Sequence, residues 1–158
     1  MRDKRFVAVH RSGTLMPENH HRLIRWARMC SEHILPLLGE KIDPRLAHAL
    51  DTAKDWENSK VPTGAAMKAS VAAHAAAREA DDPVTTAVAR SIGHAVATAH
   101  MADHALGAPL YALKALKLAG KPLTEEREWQ ISQLKQVVPE LADLILHTMS
   151  QKEKGFKL

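Results

Sequence analysis

Residues 83–118 read PVTTAVARSIGHAVATAHMADHALGAPLYALKALKL, and between Asp82 and Lys114 the only Lys, Arg, Asp or Glu residues are Arg90 and Asp103. A helix on the surface of a globular domain carries a broad charged face. This stretch has none, which predicts a central helix over Asp82–Leu106 with neighbours on most sides. His94, His100 and His104 fall inside it. Of the 26 alanines in the chain, 20 lie between Ala65 and Ala119. Small side chains let helix axes approach closely, so the third, fourth and fifth helices are expected to form a tight inner layer.

The flanking sequence reads as amphipathic helix. Behind Pro17, a favourable first helical residue, Leu23, Ala27, Cys30 and Ile34 recur at spacings of four, three and four. Asp43-Pro44 reads as the cap and first residue of a second helix, with Leu46, Ala49, Leu50 and Ala53 as its stripe. Asn58–Pro62 is a loop, and Thr63 is placed to cap a third helix ending near Ala80. Asp81-Asp82-Pro83 ends the third helix and caps the fourth. Gly107-Ala-Pro109 is expected to kink or break the central element, with a fifth helix running to Ala119 and Gly120-Lys-Pro122 stopping it. Thr124 is expected to cap a sixth helix, and Pro139 to open a seventh through Met149. No stretch alternates with a strand's period, and no fixed-period repeat occurs. The expected fold is therefore all-α: a single compact helical domain of about seven helices over residues 1–158, Ala-rich central helices wrapped by amphipathic ones. Residues 1–13 are read as an arm and 151–158 as a charged, mobile tail.

A chain of 158 residues buries roughly 68–70% of its unfolded surface and needs no covalent staples. Cys30 is the only cysteine, so no internal disulfide can form, which suits a reducing compartment. The opening MRDKRFVAVHRSG has no apolar run of the kind a secretory leader carries. No stretch reads as a membrane span, and a cytoplasmic location is expected. The formal charge is +4 and the pI about 9.3, but no cluster of five or more Lys and Arg occurs. Nucleic-acid binders concentrate such charge in a stripe. A mild, scattered surplus suits an acidic protein partner instead; self-association is left open.

On a helical wheel Val84, Val88, Ile92, Ala95, Ala99 and Leu106 share one face of the central helix. The far side carries Arg90, Gly93, Ala97, His100 and His104, small and ionisable rather than solvated. Gly93 and Ala97 there are the expected points of close approach for another helix. His100 and His104 are four apart, Asp103 is within reach of His100, and His94 points elsewhere if the helix is straight. In the third helix His74 and Arg78 turn away from the solvent side marked by Lys68 and Glu79. These residues, His74, Arg78, Arg90, His94, His100, Asp103 and His104, are expected to meet in a polar cluster.

Three roles fit such a cluster. It can tie close-packed helices together by hydrogen bonds. It can hold a metal, since H-x3-H at His100 and His104 is a ligand spacing, although no Glu follows as in H-E-x-x-H. It can be a recognition surface. Catalytic signals are absent: there is no Gly-rich phosphate loop, nucleophile elbow or paired-carboxylate motif. Cys30 lies on an apolar stripe, where thiols are inert. His20 and His21 are read as exposed, Arg22, Arg25 and Arg28 as a solvated face, and Trp26, Trp56 and Trp129 as core-edge anchors.

The run ARSIGHAVATAHMADHALGAPLYALKA at 89–115 resembles the signature of a family of bacterial immunity proteins related to the fifth immunity class of polymorphic toxin systems. DKRFVAVHRSGTL near the start, ILPLLGEKID at 34–43, AAHAAARE at 72–79 and QKEKGFKL at the end match the same pattern, so the resemblance spans nearly the whole chain. It implies an all-α protein that binds and neutralises a cognate toxin domain inside the producing cell, with no cofactor and no reaction. The matched positions are His74, Arg78, Arg90, Gly93, His94, His100, His104, Gly107 and Tyr111. Pro109 departs from the pattern, where a small helix former is expected. The reading that competes with this one is a small helical metal-binding protein or enzyme using His100 and His104.

Overall fold

The structure, a computed structural model, describes residues 2–158. Seven α-helices carry the fold: α1 (Pro17–His33), α2 (Pro44–Glu57), α3 (Thr63–Glu79), α4 (Pro83–Ala97), α5 (Gly107–Leu118), α6 (Thr124–Val137) and α7 (Ala142–Lys152). There is no strand among the described residues, only one isolated bridge between Ala8 and Leu15. Among the described residues, no helix is long and apolar enough to cross a membrane.

The caps follow local chemistry in part. The Asp43 carboxylate accepts from the Arg45 amide at 2.9 Å, and the Asp82 carboxylate from the Thr85 amide at 2.8 Å. Each satisfies a donor that the first turn of a helix leaves unpaired. Thr63 and Thr124 do not cap: each is already the first residue of its helix, behind Pro62 and Leu123. The Thr63 hydroxyl instead accepts from the Trp56 indole at 3.1 Å. Pro139 opens a short 3-10 turn, Pro139–Leu141, ahead of α7.

The central element is shorter than the wheel implies. α4 stops at Ala97, Met101 is extended (φ −145°, ψ 103°), and the chain turns through a 3-10 segment, Ala102–Leu106, into α5. The break therefore falls before Gly107-Ala-Pro109, which forms the first turn of α5.

α4 packs against α3 and α5 and is touched by α1 and α2. Val88, Ile92, Ala95 and Leu106 are fully buried, as the wheel requires. The apolar interior has two parts. One is the Ala-rich packing of α2, α3 and α4 around Leu46, Ala69, Ala73, Val88 and Ile92. The other joins α1, α5, α6 and α7 around Leu23, Trp26, Leu110, Leu134 and Ile145. α3 is thus an outer helix rather than part of an inner layer, and its open face leaves Val71 68% exposed. Trp26 is fully buried, not at an edge. Phe6, from the segment read as an arm, is buried in the second part of the core. In the segment read as a tail, Phe156 packs edge-on against Tyr111 at 4.8 Å, and Lys114 Nζ donates to its carbonyl at 3.0 Å.

Candidate functional site

The turn after α4 assembles the histidines. Had the helix continued, His94 would point away from His100. Because it ends, the chain folds back and His94 meets His104, Nδ1 to Nδ1 at 3.3 Å, one ring donating to the other. The His100 and His104 ring centroids are 5.4 Å apart, and those of His74 and His94 are 5.2 Å apart, edge to face. Arg90 Nη1 donates to His74 Nδ1 at 3.0 Å, which puts the His74 hydrogen on Nε2. Tyr111 stacks on His94 with centroids 5.3 Å apart and planes 18° off parallel. Six of the seven expected residues lie in this chain of contacts or at its edge.

Arg78 is the exception: it is exposed on α3 and reaches the cluster only through its field on His74. Asp103 does not bond His100. Its Oδ1 accepts from Arg2 Nη1 at 3.0 Å, a contact across 101 positions of sequence. His100 and His104 no longer share a helix face, since His104 sits in the 3-10 segment.

Two glycines make the cluster possible. A Cβ on Gly93 would lie 2.7 Å from the His74 ring, and one on Gly107 would lie 2.5 Å from His94 Cγ. The Ser70 hydroxyl closes the α3–α4 contact by donating to the Gly93 carbonyl at 3.0 Å. The expected close approach at Gly93 is real, and the atom that approaches is an imidazole.

All four imidazoles are held below their usual value. Burial acts first on each, pushing His94 down to about 4, with His74, His104, Arg90 and Lys152 adding like-charge repulsion. For His74 the next causes are Arg90 and His104; for His100, Arg11 and Arg2. For His104 the Asp103 carboxylate works in the opposite direction but does not win. The four imidazoles are therefore neutral at pH 7: they can accept and pass hydrogen bonds but carry no charge of their own. Among the described residues, no three His, Cys, Asp or Glu side chains converge as metal ligands would. Cys30 is fully buried and burial pushes its thiol well up, so it is not a nucleophile.

Two clefts flank the cluster. One, of about 210 Å³, is lined by Arg2, His94, His104, Tyr111, Lys152 and Phe156. The other, also about 210 Å³, lies between the N-terminal segment and the turn after α4 and includes Arg11, His20 and His100. His20, expected to be exposed, is only 9% exposed and its Nε2 donates to the Thr98 carbonyl at 2.6 Å. A signal for it existed: His20 stands three before Leu23 and extends the α1 core stripe by one turn. Arg25 and Arg28 are also not simply solvated. Both bond the buried Glu57, Arg25 at 2.6 Å and Arg28 at 3.1 Å.

The architecture is that of a compact all-α domain with a half-buried histidine cluster where α3, α4 and α5 meet. The chain belongs to a family described as Imm-5 like putative immunity protein, whose pattern matches residues 13–137. The match contains every residue of the cluster and leaves out the ends that close over it. No curated protein matches the chain, and no solved structure does.

Proposed function

We propose that the chain is an immunity protein that binds a cognate toxin domain stoichiometrically and neutralises it in the cytoplasm of the cell that makes both. The observation that carries this reading is the family match over residues 13–137. The electrostatics agree with it: a surplus of +4 favours encounter with an acidic surface and speeds association. Under this reading the protein performs no reaction and needs no cofactor; it works by covering the toxin. The histidine cluster serves as the joint that fixes α3, α4 and α5 against one another, so that the binding surface is rigid before the toxin arrives. Rigid partners lose less entropy on association.

Co-expression tests the reading. Candidate toxin domains from the same genome are produced with and without this chain at matched levels. One of them is expected to kill alone, to be silenced by the chain and to co-purify with it. Killing by every active candidate at equal expression would sink the proposal.

A further inference from the structure

The second cleft has a composition that the joint does not explain. Its polar lining comes from Arg2, His10, Arg11, His20, Thr63 and His100, with the Trp56 ring among them, and no carboxylate lines it. Of its two arginines, Arg2 is already paired with Asp103. Arg11 is exposed and has no ion pair or side-chain hydrogen bond among the described residues; His10 has none either. The Thr63 hydroxyl accepts from Trp56, which leaves its own hydrogen free to donate. His20 spends its Nε2 hydrogen on the Thr98 carbonyl, and burial lowers its pKa, so it has no second hydrogen to donate. His100 Nδ1 is buried without a partner, so the ring hydrogen belongs on Nε2. The rest of the lining is apolar, Phe6, Val7, Ala8, Ala99, Met101 and Ala102, so Arg11 is a cation without a carboxylate partner on a largely apolar wall, a setting that suits an anion. Its volume of about 210 Å³ is below the roughly 300–1,000 Å³ of small-molecule sites. It fits one side chain.

We propose that this cleft is the socket for an acidic side chain, Asp or Glu, presented by the bound toxin domain, with Arg11 as its principal partner. The identity of the partner rests on the immunity reading; the chemistry of the socket does not. Arg11 meets the carboxylate, Thr63 and His100 donate hydrogen bonds to it, and Trp56 shields the pair from water. A charge pair shielded in this way governs how fast the partner leaves.

The test is a titration of the full, isotope-labelled chain at low salt, followed by NMR. One probe is the capped peptide Gly-Glu-Asp-Gly; the other is inorganic phosphate. The peptide is expected to shift the signals of Arg11, His20 and His100. Arg11→Glu should weaken it at least tenfold, whereas Lys135→Glu, exposed on α6 and outside the cleft, should leave it unchanged. Arg11→Gln, which removes the charge without reversing it, serves if Arg11→Glu unfolds. No shift at millimolar peptide, equal affinity in the Arg11 variants, or binding of phosphate but not peptide would each overturn the proposal. Co-expression separates the two readings. If Arg11→Glu protects as well as wild type, the socket is not used and the immunity reading stands. If wild type fails to protect, the immunity reading falls and the titration alone judges the socket.

Discussion

At Gly93 and Gly107 a single hydrogen in place of a methyl decides whether two imidazoles can sit where they do. Gly93→Leu should therefore lower stability by about 1–3 kcal/mol through overpacking against His74. Gly64, also in a helix, has nothing within 4 Å of the point where a Cβ would stand, so Gly64→Ala should raise stability by about 0.5–1 kcal/mol. Urea unfolding of the two variants beside wild type checks both signs. The imidazoles themselves predict a pH dependence. Their folded values are depressed, so between pH 6.5 and about 4 the unfolded chain binds protons that folded His94 refuses. Stability is then full above pH 6.5 and is lost as pH falls through that window. His94 alone is worth on the order of 3 kcal/mol across it, and His74, His100 and His104 act in the same direction. The lowered Asp43 and Asp82 act only below pH 4 and do not mask the effect. An unchanged urea midpoint between pH 7.5 and 5 would contradict a buried neutral cluster.

Among the elements, the telling one is the turn after Ala97. The sequence Ala-Thr-Ala-His-Met-Ala contains no glycine or proline, and its apolar stripe runs on through Ala99, so periodicity extends the helix to Leu106. What stops it is tertiary. His20 donates to the Thr98 carbonyl, the acceptor a continuing helix would offer to the amide of Ala102. The Thr98 hydroxyl also bonds back to the His94 carbonyl at 3.1 Å, a contact that bends helices. Helix number and most boundaries were legible because caps, breakers and a missing charged face are local signals. The fold-back at Met101, the burial of His20 and the exposure of Arg78 were not, because each depends on a neighbour far away in sequence. Ser91 shows the same dependence: it donates to the Ala108 carbonyl at 2.7 Å and contacts the Ser31 hydroxyl at 2.8 Å, linking α1, α4 and α5 in the buried interior. Ser91→Ala keeps the packing but strands both partners, and should cost about 1–3 kcal/mol in urea unfolding.

Across the whole molecule, both ends of the described chain close over the cluster. Arg2 and Phe156 line the same cleft, and Phe156 covers Tyr111, which covers His94. Removing residues 153–158 should lower stability by about 1–2 kcal/mol through lost aromatic burial. It should also let water reach His94, raising its pKa toward the ordinary imidazole value; histidine titration by NMR reads this directly. The same closure has a consequence for synthesis. Phe6, Leu15, Leu23 and Trp26 complete their packing only with Leu134, Ile145 and Met149. A ribosome adding about 5–20 residues per second needs on the order of ten seconds to deliver those partners. Until then the early apolar residues stand uncovered, so the nascent chain is a natural client for a chaperone that holds exposed hydrophobic segments.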